Sequence, residues 1–118
     1  MAKITPLLKK IRKNLTDDLL KPKYRVLKRT TNTAGHCYVA SEALYHSLSE
    51  KQRNYFKPYY LKVNGITHWY LMNDERNQML DPTYDQFDEL PDYSNGVRAG
   101  FLTKNPSKRT KILLNKIK

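Results

Sequence analysis

Residues 35–45 have the sequence GHCYVASEALY and contain Cys37, the only cysteine of the chain. From residue 38 to 48, small and aliphatic residues recur at intervals of three and four without a proline or glycine, which predicts a helix. Cys37 then lies in or just before the first turn, where the helix dipole is positive and backbone N–H groups lack helical partners. Both effects favour the nucleophilic thiolate, so Cys37 is a candidate nucleophile; the alternative is a buried structural cysteine.

Two strands further along the chain carry the groups that would activate such a cysteine. Residues 67–72 and 79–83 are separated by a polar segment, and this pattern predicts a β-hairpin. A nucleophilic cysteine needs a base, and the base needs a group that orients it. His68 and Asp81 are the candidates for these two roles.

The length of the hairpin loop decides whether the two side chains meet. A four-residue loop over residues 74–77 pairs Asn73 with Gln78. In that register His68 and Asp81 lie on the same face of the hairpin as diagonal neighbours. A loop longer by one residue would place them on opposite faces, because side chains alternate along a strand.

These segments together resemble the transglutaminase-like branch of the papain-like cysteine enzymes. In that family a cysteine begins a helix, a histidine follows on a strand, often as His-Trp, and an aspartate follows on the next strand as Asp-Pro-Thr. The matching residues lie within about residues 33–85: Gly35-His36-Cys37, His68-Trp69-Tyr70-Leu71 and Leu80-Asp81-Pro82-Thr83. The chain is also similar to small bacteriophage-encoded proteins.

The resemblance implies a thiol-dependent hydrolase or acyltransferase with a Cys37–His68–Asp81 triad. Its substrate would be an amide, isopeptide or ester bond, most simply in a protein or peptide, so that protease, deamidase and transglutaminase-like activities all remain open. The alternative is a non-catalytic module that binds nucleic acid or a host protein on a papain-like scaffold, since a fold does not fix a function.

Three further residues are expected to line the site. In the papain-like enzymes an amide side chain upstream of the cysteine contributes to the oxyanion hole, and Asn32 is the candidate here. We expect His36 to lie at the entrance and Trp69 beside the histidine. A zinc site formed by His36, Cys37, His68 and Asp81 is an alternative, but these four residues lack the paired ligand spacing of structural zinc motifs, so we expect neither a metal nor another cofactor.

The 118 residues predict a single α+β domain, with a catalytic core at about residues 30–90 and basic helical ends at 1–29 and 96–118. The Cys37 helix is expected to pack on a small antiparallel sheet with strands at about 58–63, 66–73 and 78–82. Two residues of the first strand, Leu61 and Val63, would share the covered face with Trp69 and Leu71.

The charge of +11 is concentrated at the two ends of the chain. Residues 1–30 and 96–118 hold 17 of the 22 basic residues, whereas the segment between them is net acidic. Such ends attract polyanions through phosphate contacts. The residues expected to bind nucleic acid or an acidic partner are Lys9, Lys10, Arg12, Lys13, Lys108, Arg109 and Lys111.

The sequence also bears on the compartment. No apolar stretch approaches the roughly 20 residues of a membrane span, so we expect no membrane partner. A lone cysteine excludes an intramolecular disulfide, and a reactive thiol suits a reducing compartment. We therefore expect a monomer in the cytoplasm, which would be that of the host if a bacteriophage encodes the protein.

Overall fold

The computed structural model describes residues 4–15, 36–63, 66–84, 91–101 and 105–117 and has an α+β architecture, which confirms the predicted class. The expected helix begins at Cys37. In chain order the elements are α1 (Ile4–Lys13), α2 (Cys37–Ser47), α3 (Glu50–Tyr55), β1 (Lys57–Val63), β2 (Ile66–Asn73), β3 (Gln78–Leu80), the 3₁₀ turn η1 (Tyr93–Asn95), β4 (Val97–Arg98) and α4 (Lys108–Lys116).

The four strands form one antiparallel sheet in the order β3-β2-β1-β4. Asn73 pairs with Gln78 across the β2–β3 turn, so the predicted register is confirmed. The turn ends at Asn77, which has a φ of 50°. Asparagine is one of the few residues with a side chain that adopts this left-handed conformation readily. The four-residue loop is therefore compatible with its sequence.

The pairing of β1 with β2 gives the sheet two different faces. Leu61 lies opposite His68, so both side chains point to one side. Trp69 and Leu71 lie one and three residues after His68 on β2. They point to the other side of the sheet, because neighbouring residues of a strand alternate. The prediction that Leu61 and Val63 share a face with Trp69 and Leu71 is therefore wrong.

The hydrophobic core lies between α2 and the face of the sheet that carries Leu71. Ala40 and Ala43 are fully buried, and their small side chains allow α2 to approach the strands closely. Each fully buried leucine in such a core contributes about 2 kcal/mol to stability. The buried members are Ile11, Leu15, Val39, Ala40, Ala43, Leu44, Leu48, Phe56, Leu71, Leu80, Leu113 and Ile117.

The two basic helices, α1 and α4, both pack against α2. The α4 helix begins after Ser107, whose hydroxyl accepts a hydrogen bond from the N–H of Thr110 at 3.3 Å. The N–H of Ser107 donates to the buried carboxylate of Glu42 at 2.9 Å, which fixes the start of α4 on α2. Among the helices of the described ranges, none has both the length and the apolar character needed to cross a bilayer.

The α3 helix was not predicted, although its start carries a recognisable sequence signal. The Ser49 hydroxyl accepts a hydrogen bond from the N–H of Gln52, and the Gln52 side chain accepts one from the N–H of Ser49. This reciprocal pair is a capping box, with Ser49 as the N-cap three residues before Gln52. The α3 helix then connects α2 to the first strand of the sheet.

Candidate active site

The first two turns of α2 lie along β2. The Cys37 thiol donates to the carbonyl of Thr67 at 3.5 Å, and the Ser41 hydroxyl donates to the carbonyl of Trp69 at 2.9 Å. Residues four apart on a helix lie on the same side of it, so these two contacts align α2 with the strand. β3 pairs with β2 only from Leu71 onward. The carbonyls of Thr67 and Trp69 precede that paired segment and accept hydrogen bonds from α2 instead.

The His68 ring lies between the other two predicted residues. Its Nε2 atom donates to Oδ2 of Asp81 at 2.5 Å, and both side chains are completely buried. Cys37 is the second neighbour that raises the pKa of this ring, while its thiol donates to the carbonyl of Thr67. Since Asp81 engages Nε2, Nδ1 is the nitrogen that can meet the sulfur. The structure thus brings Cys37, His68 and Asp81 together, and the predicted hydrogen bond between His68 and Asp81 is confirmed.

A tight turn after β3 holds the Asp81 carboxylate in place. Oδ1 of Asp81 accepts hydrogen bonds from the N–H of Thr83 at 3.1 Å and from its hydroxyl at 3.5 Å. An aspartate that bonds to its own backbone two residues on is a typical turn device, and Pro82 has the fixed φ that such a turn favours. The Asp-Pro-Thr sequence therefore directs Oδ1 into the turn and leaves Oδ2 for His68.

Tyr93 is the residue of this site that the sequence analysis did not find. Its hydroxyl donates to Oδ2 of Asp81 at 2.6 Å, and the Tyr70 hydroxyl donates to the carbonyl of Tyr93 at 3.5 Å. The Tyr70 and Tyr93 rings meet edge to face with their centroids 5.0 Å apart. Tyr93 follows Asp81 by twelve residues and belongs to no motif, so only the tertiary structure reveals it.

The charge state of the site follows from these contacts. Burial by itself lowers the pKa of His68, but the hydrogen bonds and negative charges of Asp81 and Cys37 raise the pKa to about 9. Burial raises the pKa of Tyr70 to about 12. Burial, followed by the hydrogen bond to Asp81, also raises the pKa of Tyr93. At neutral pH the imidazole is therefore protonated, and both tyrosines are neutral hydrogen-bond donors.

Arg12 has a different environment from the one expected of it. We predicted it as part of a nucleic-acid-binding surface, but its guanidinium donates to the carbonyl of Pro82 at 3.0 Å. The same group lies over the Tyr84 ring, 4.7 Å from the centroid. Arg12 therefore connects α1 to the turn that carries Asp81.

The expected site-lining residues have different outcomes. His36 precedes α2 but is only 1% exposed, so its predicted place at the entrance is wrong. Trp69 is half-buried and points away from His68, towards the rings of Tyr38 and Phe101. It therefore lies beside the start of α2 but on the opposite face from the histidine. Asn32 lies outside the described residues.

The remaining basic residues of the predicted binding surface are largely exposed. Lys9, Lys10, Lys13, Lys108 and Lys111 are exposed, while Arg109 is half-buried. Neither α1 nor α4 contains an acidic residue. Both helices therefore present uncompensated positive charge along their own length.

The described residues do not bring potential metal ligands together in a cluster. Within the described ranges, no cluster of three or more His, Cys, Asp or Glu side chains has a geometry that holds a metal ion. Cys37 is a buried residue with an exposed fraction of 8%.

Comparisons with protein-family models, with curated proteins and with solved structures give no match for this chain.

Proposed function

We propose that this protein is a thiol-dependent hydrolase or acyltransferase of the papain-like type, with Cys37, His68 and Asp81 as its catalytic residues. The observation that supports this most directly is the environment of the His68 ring, which is hydrogen-bonded to the Asp81 carboxylate and has its pKa raised by both Asp81 and Cys37. A nucleophile, a base and an orienting group in this order are the parts that nucleophilic catalysis needs.

The first half of the reaction is acyl transfer to the sulfur. A protonated imidazole beside Cys37 stabilises the thiolate, and the sulfur attacks the carbonyl carbon of the substrate. A carbon–sulfur bond forms, the bond to the leaving nitrogen or oxygen breaks, and His68 gives its proton to the leaving group. The product of this half is a thioester on Cys37.

The second half releases the acyl group. Water or an amine attacks the thioester, His68 accepts the proton of the attacking group, and the sulfur leaves. Water as the acceptor makes the protein a hydrolase, and an amine makes it an acyltransferase. The same three residues support both outcomes, so the acceptor is set by what reaches the site.

Asp81 fixes the imidazole during both halves. Its hydrogen bond at Nε2 fixes the tautomer and orientation of the ring and leaves Nδ1 as the nitrogen for proton transfer with the sulfur. The turn at Thr83 and the hydroxyl of Tyr93 hold the carboxylate itself. Both of its oxygens are therefore restrained before a substrate arrives.

The oxyanion of the tetrahedral intermediate needs hydrogen-bond donors close to the sulfur. The N–H of Cys37 belongs to the first turn of α2, whose N–H groups have no acceptor within the helix. It is the donor that we propose for this role, with Asn32 as the second by resemblance. The positive end of the α2 dipole adds to the stabilisation.

Formation of an acyl-enzyme tests the proposal directly. Incubation with p-nitrophenyl acetate should add one acetyl group to the protein and release nitrophenolate in a burst. Cys37 is the only cysteine, so the adduct maps to a single sulfur. Cys37→Ala and His68→Gln should abolish the burst.

His46→Gln is the matched control, because His46 lies near the end of α2 that is opposite to Cys37. This variant should retain the burst. Acetylation that persists in Cys37→Ala, or equal loss in the two histidine variants, would contradict the proposed mechanism.

A second candidate function is binding to nucleic acid through the exposed lysines of α1 and α4, with or without catalysis. The observation that favours it is the absence of acidic residues from both helices. The cytoplasm, where thiols stay reduced, is the compartment that we propose for either function.

A further inference from the structure

Five aromatic side chains meet on the face of the sheet that carries α2. The Trp69 ring stacks on Phe101 at a centroid distance of 5.6 Å and meets Tyr38 edge to face at 5.3 Å. The Tyr60 ring lies 5.5 Å from Trp69, and the Tyr45 ring lies 5.7 Å from Phe101. All five residues are only partly buried. They form one continuous surface, which we call the aromatic platform.

The strand register adds a cation to the sheet side of this platform. Tyr60 and Trp69 are direct partners across β1 and β2, and Lys62 is opposite Thr67, two positions along. Lys62 therefore points to the same face as Trp69 and is its diagonal neighbour. The exposed Lys62 ammonium donates to the Thr67 hydroxyl at 2.6 Å. Since an ammonium has three N–H donors, it can bind an anion and keep this contact.

A second cation lies on the helix side of the platform. The Tyr38 hydroxyl donates to Oε2 of Glu42 at 3.3 Å, and the N–H of Ser107 donates to Oε1 at 2.9 Å. These two bonds hold the start of α4 beside Tyr38, and the next residue is the exposed Lys108. Among the described residues joined by these contacts, Glu42 is the only acid, and it is completely buried. The accessible charge around the platform is therefore positive.

Rings and cations together match a single-stranded nucleic acid. Such a strand carries a negative phosphate at every nucleotide, and its bases can stack on aromatic side chains while the phosphates contact lysines. In a duplex the bases stack on one another, which leaves only the phosphates and the groove edges accessible. An acidic protein segment supplies the charge without a ring at each position. The platform therefore fits a single strand better than either alternative.

We infer that the aromatic platform binds a single-stranded nucleic acid, with bases stacked on Tyr60 and Trp69 and phosphates at Lys62 and Lys108. The inference deepens the second candidate function, on which it rests for the role of Lys108. It is independent of the proposed triad, because the His68 side chain points to the opposite face of the sheet.

Trp69 is the only tryptophan, so its fluorescence reports directly on this surface. Titration of the intact chain at low salt with an oligothymidylate of about 12 nucleotides should quench this fluorescence to a saturable end point, because a base stacks on the ring. Oligouridylate of the same length should act similarly, since the contacts are to bases and phosphates. A response to only one of the two strands would assign the platform to that sugar. A duplex should leave Trp69 nearly unchanged, even where anisotropy shows that it binds.

Variants on the two faces of β1 separate stacking from a general loss of structure. Tyr60→Leu should weaken single-strand binding about tenfold, within the range for the loss of one base stack. Tyr59→Leu is the matched control, because this neighbouring tyrosine is also half-buried but packs on Tyr70 at the opposite face. It should bind like the wild type, and thermal unfolding verifies that both variants are folded.

The charge of Lys62 is tested separately by the salt dependence. Lys62→Gln should reduce the slope of log K against log salt by about 0.7 for the single strand, the value for one phosphate contact. Lys51→Gln removes the same charge from an exposed position on α3 and should leave the slope unchanged. This comparison holds even if Tyr60→Leu fails to fold.

The outcomes distinguish this inference from the function on which it rests. Anisotropy that shows binding of the single strand without quenching of Trp69 would overturn the inference and leave the basic helices as the binding surface. Loss of both signals would also contradict the second candidate function. Equal weakening by Tyr59→Leu and Tyr60→Leu would overturn the inference, and so would equal quenching by polyglutamate, which would assign the platform to an acidic protein chain.

Discussion

The hydroxyl of Tyr93 donates a 2.6 Å hydrogen bond to Oδ2 of Asp81, the same oxygen that His68 contacts through Nε2. The other oxygen, Oδ1, is engaged by Thr83. Both oxygens of the carboxylate are therefore hydrogen-bonded. Oδ2 accepts from a protonated imidazole and from a neutral phenol at the same time. Tyr93 thus acts on His68 through Asp81, as a positioning residue.

We predict that Tyr93→Phe lowers the rate of acyl transfer about tenfold, the loss typical of a residue that orients a functional side chain. With one donor fewer on Oδ2, the carboxylate interacts more strongly with His68, so the pKa of His68 should rise above its value of about 9. Ester turnover measures the first effect, and an NMR titration of the His68 ring measures the second.

Tyr59→Phe provides the control for the loss of a hydroxyl, because Tyr59 packs against Tyr70 on the same face. It should change neither quantity. If Tyr93→Phe left the pKa of His68 and the turnover unchanged, the hydroxyl would be structural only.

We predict that Asp81→Asn preserves the fold and lowers turnover about 10⁴-fold, as expected when the imidazole tautomer is no longer fixed. Circular dichroism should show an intact fold, and burst kinetics should show slow acylation. Asp92→Asn is the control, since Asp92 is an exposed carboxylate that caps η1 through Ser94. Turnover of Asp81→Asn near that of the wild type would make Asp81 a structural residue.

The raised pKa of His68 makes stability depend on pH. A histidine with an ordinary pKa of 6.5 and a folded-state pKa of about 9 contributes its full stability below pH 6.5 and loses it as the pH rises through 9. The free energy of unfolding should therefore fall between pH 6.5 and 9, by at most about 3 kcal/mol. Denaturant titrations at several pH values measure this slope.

His68→Gln should flatten that slope, whereas His46→Gln should not. The pKa of His46 is lowered, so this residue affects stability only at pH values below about 6.5. Tyr70 and Tyr93 have raised pKa values and contribute only above about pH 10. A slope that persists in His68→Gln would show that other groups cause it.

Gly96 lies where the chain passes close to Tyr70, and a Cβ built on it would overlap the Tyr70 hydroxyl. Gly96→Ala should therefore destabilise the protein by about 3 kcal/mol, as overpacking of a close contact does. It should also lower turnover, because Tyr93 lies just before this glycine. Thermal unfolding and ester turnover measure the two effects.

Gly100→Ala is the matched control, because its Cβ would meet nothing within 4 Å. That variant should stay within about 0.5 kcal/mol of the wild type. Adding Tyr70→Phe to Gly96→Ala removes the overlapping oxygen and should restore part of the loss. A Gly96→Ala protein as stable as Gly100→Ala would contradict the close approach.

The lysines of α4 should contribute to salt-dependent binding of DNA. We predict measurable binding to a duplex of arbitrary sequence at low salt, weakening as salt rises because bound counterions are released. Changing Lys108 and Lys111 to glutamine should reduce the slope of log K against log salt by about 2, close to one per phosphate contact. Fluorescence anisotropy at several salt concentrations measures it.

The double variant Lys51→Gln and Lys62→Gln removes the same charge from exposed positions outside α1 and α4. It should leave the slope almost unchanged. Equal effects of the two double variants would mean that only total charge matters, and no binding at low salt would mean that the basic helices serve another purpose.

The sequence alone was enough for the features that depend on near neighbours in the chain. The periodicity after Cys37 predicted α2, and the loop over residues 74–77 predicted the β2–β3 register, because helix and hairpin geometry are set within a few residues. The Asp-Pro-Thr turn belongs to the same class. From these, the sequence could place Cys37, His68 and Asp81 in one candidate site.

The tertiary structure alone decided the contacts between residues far apart in the chain. Tyr93 reaches Asp81, Arg12 reaches the carbonyl of Pro82, and His36 is buried, none of which has a local pattern. Such contacts depend on how helices and strands pack, and packing is fixed by the shape of the whole core rather than by any short segment. The sequence therefore identified the three residues that we propose as nucleophile, base and orienting group, while the packing of distant elements determined which neighbours surround them.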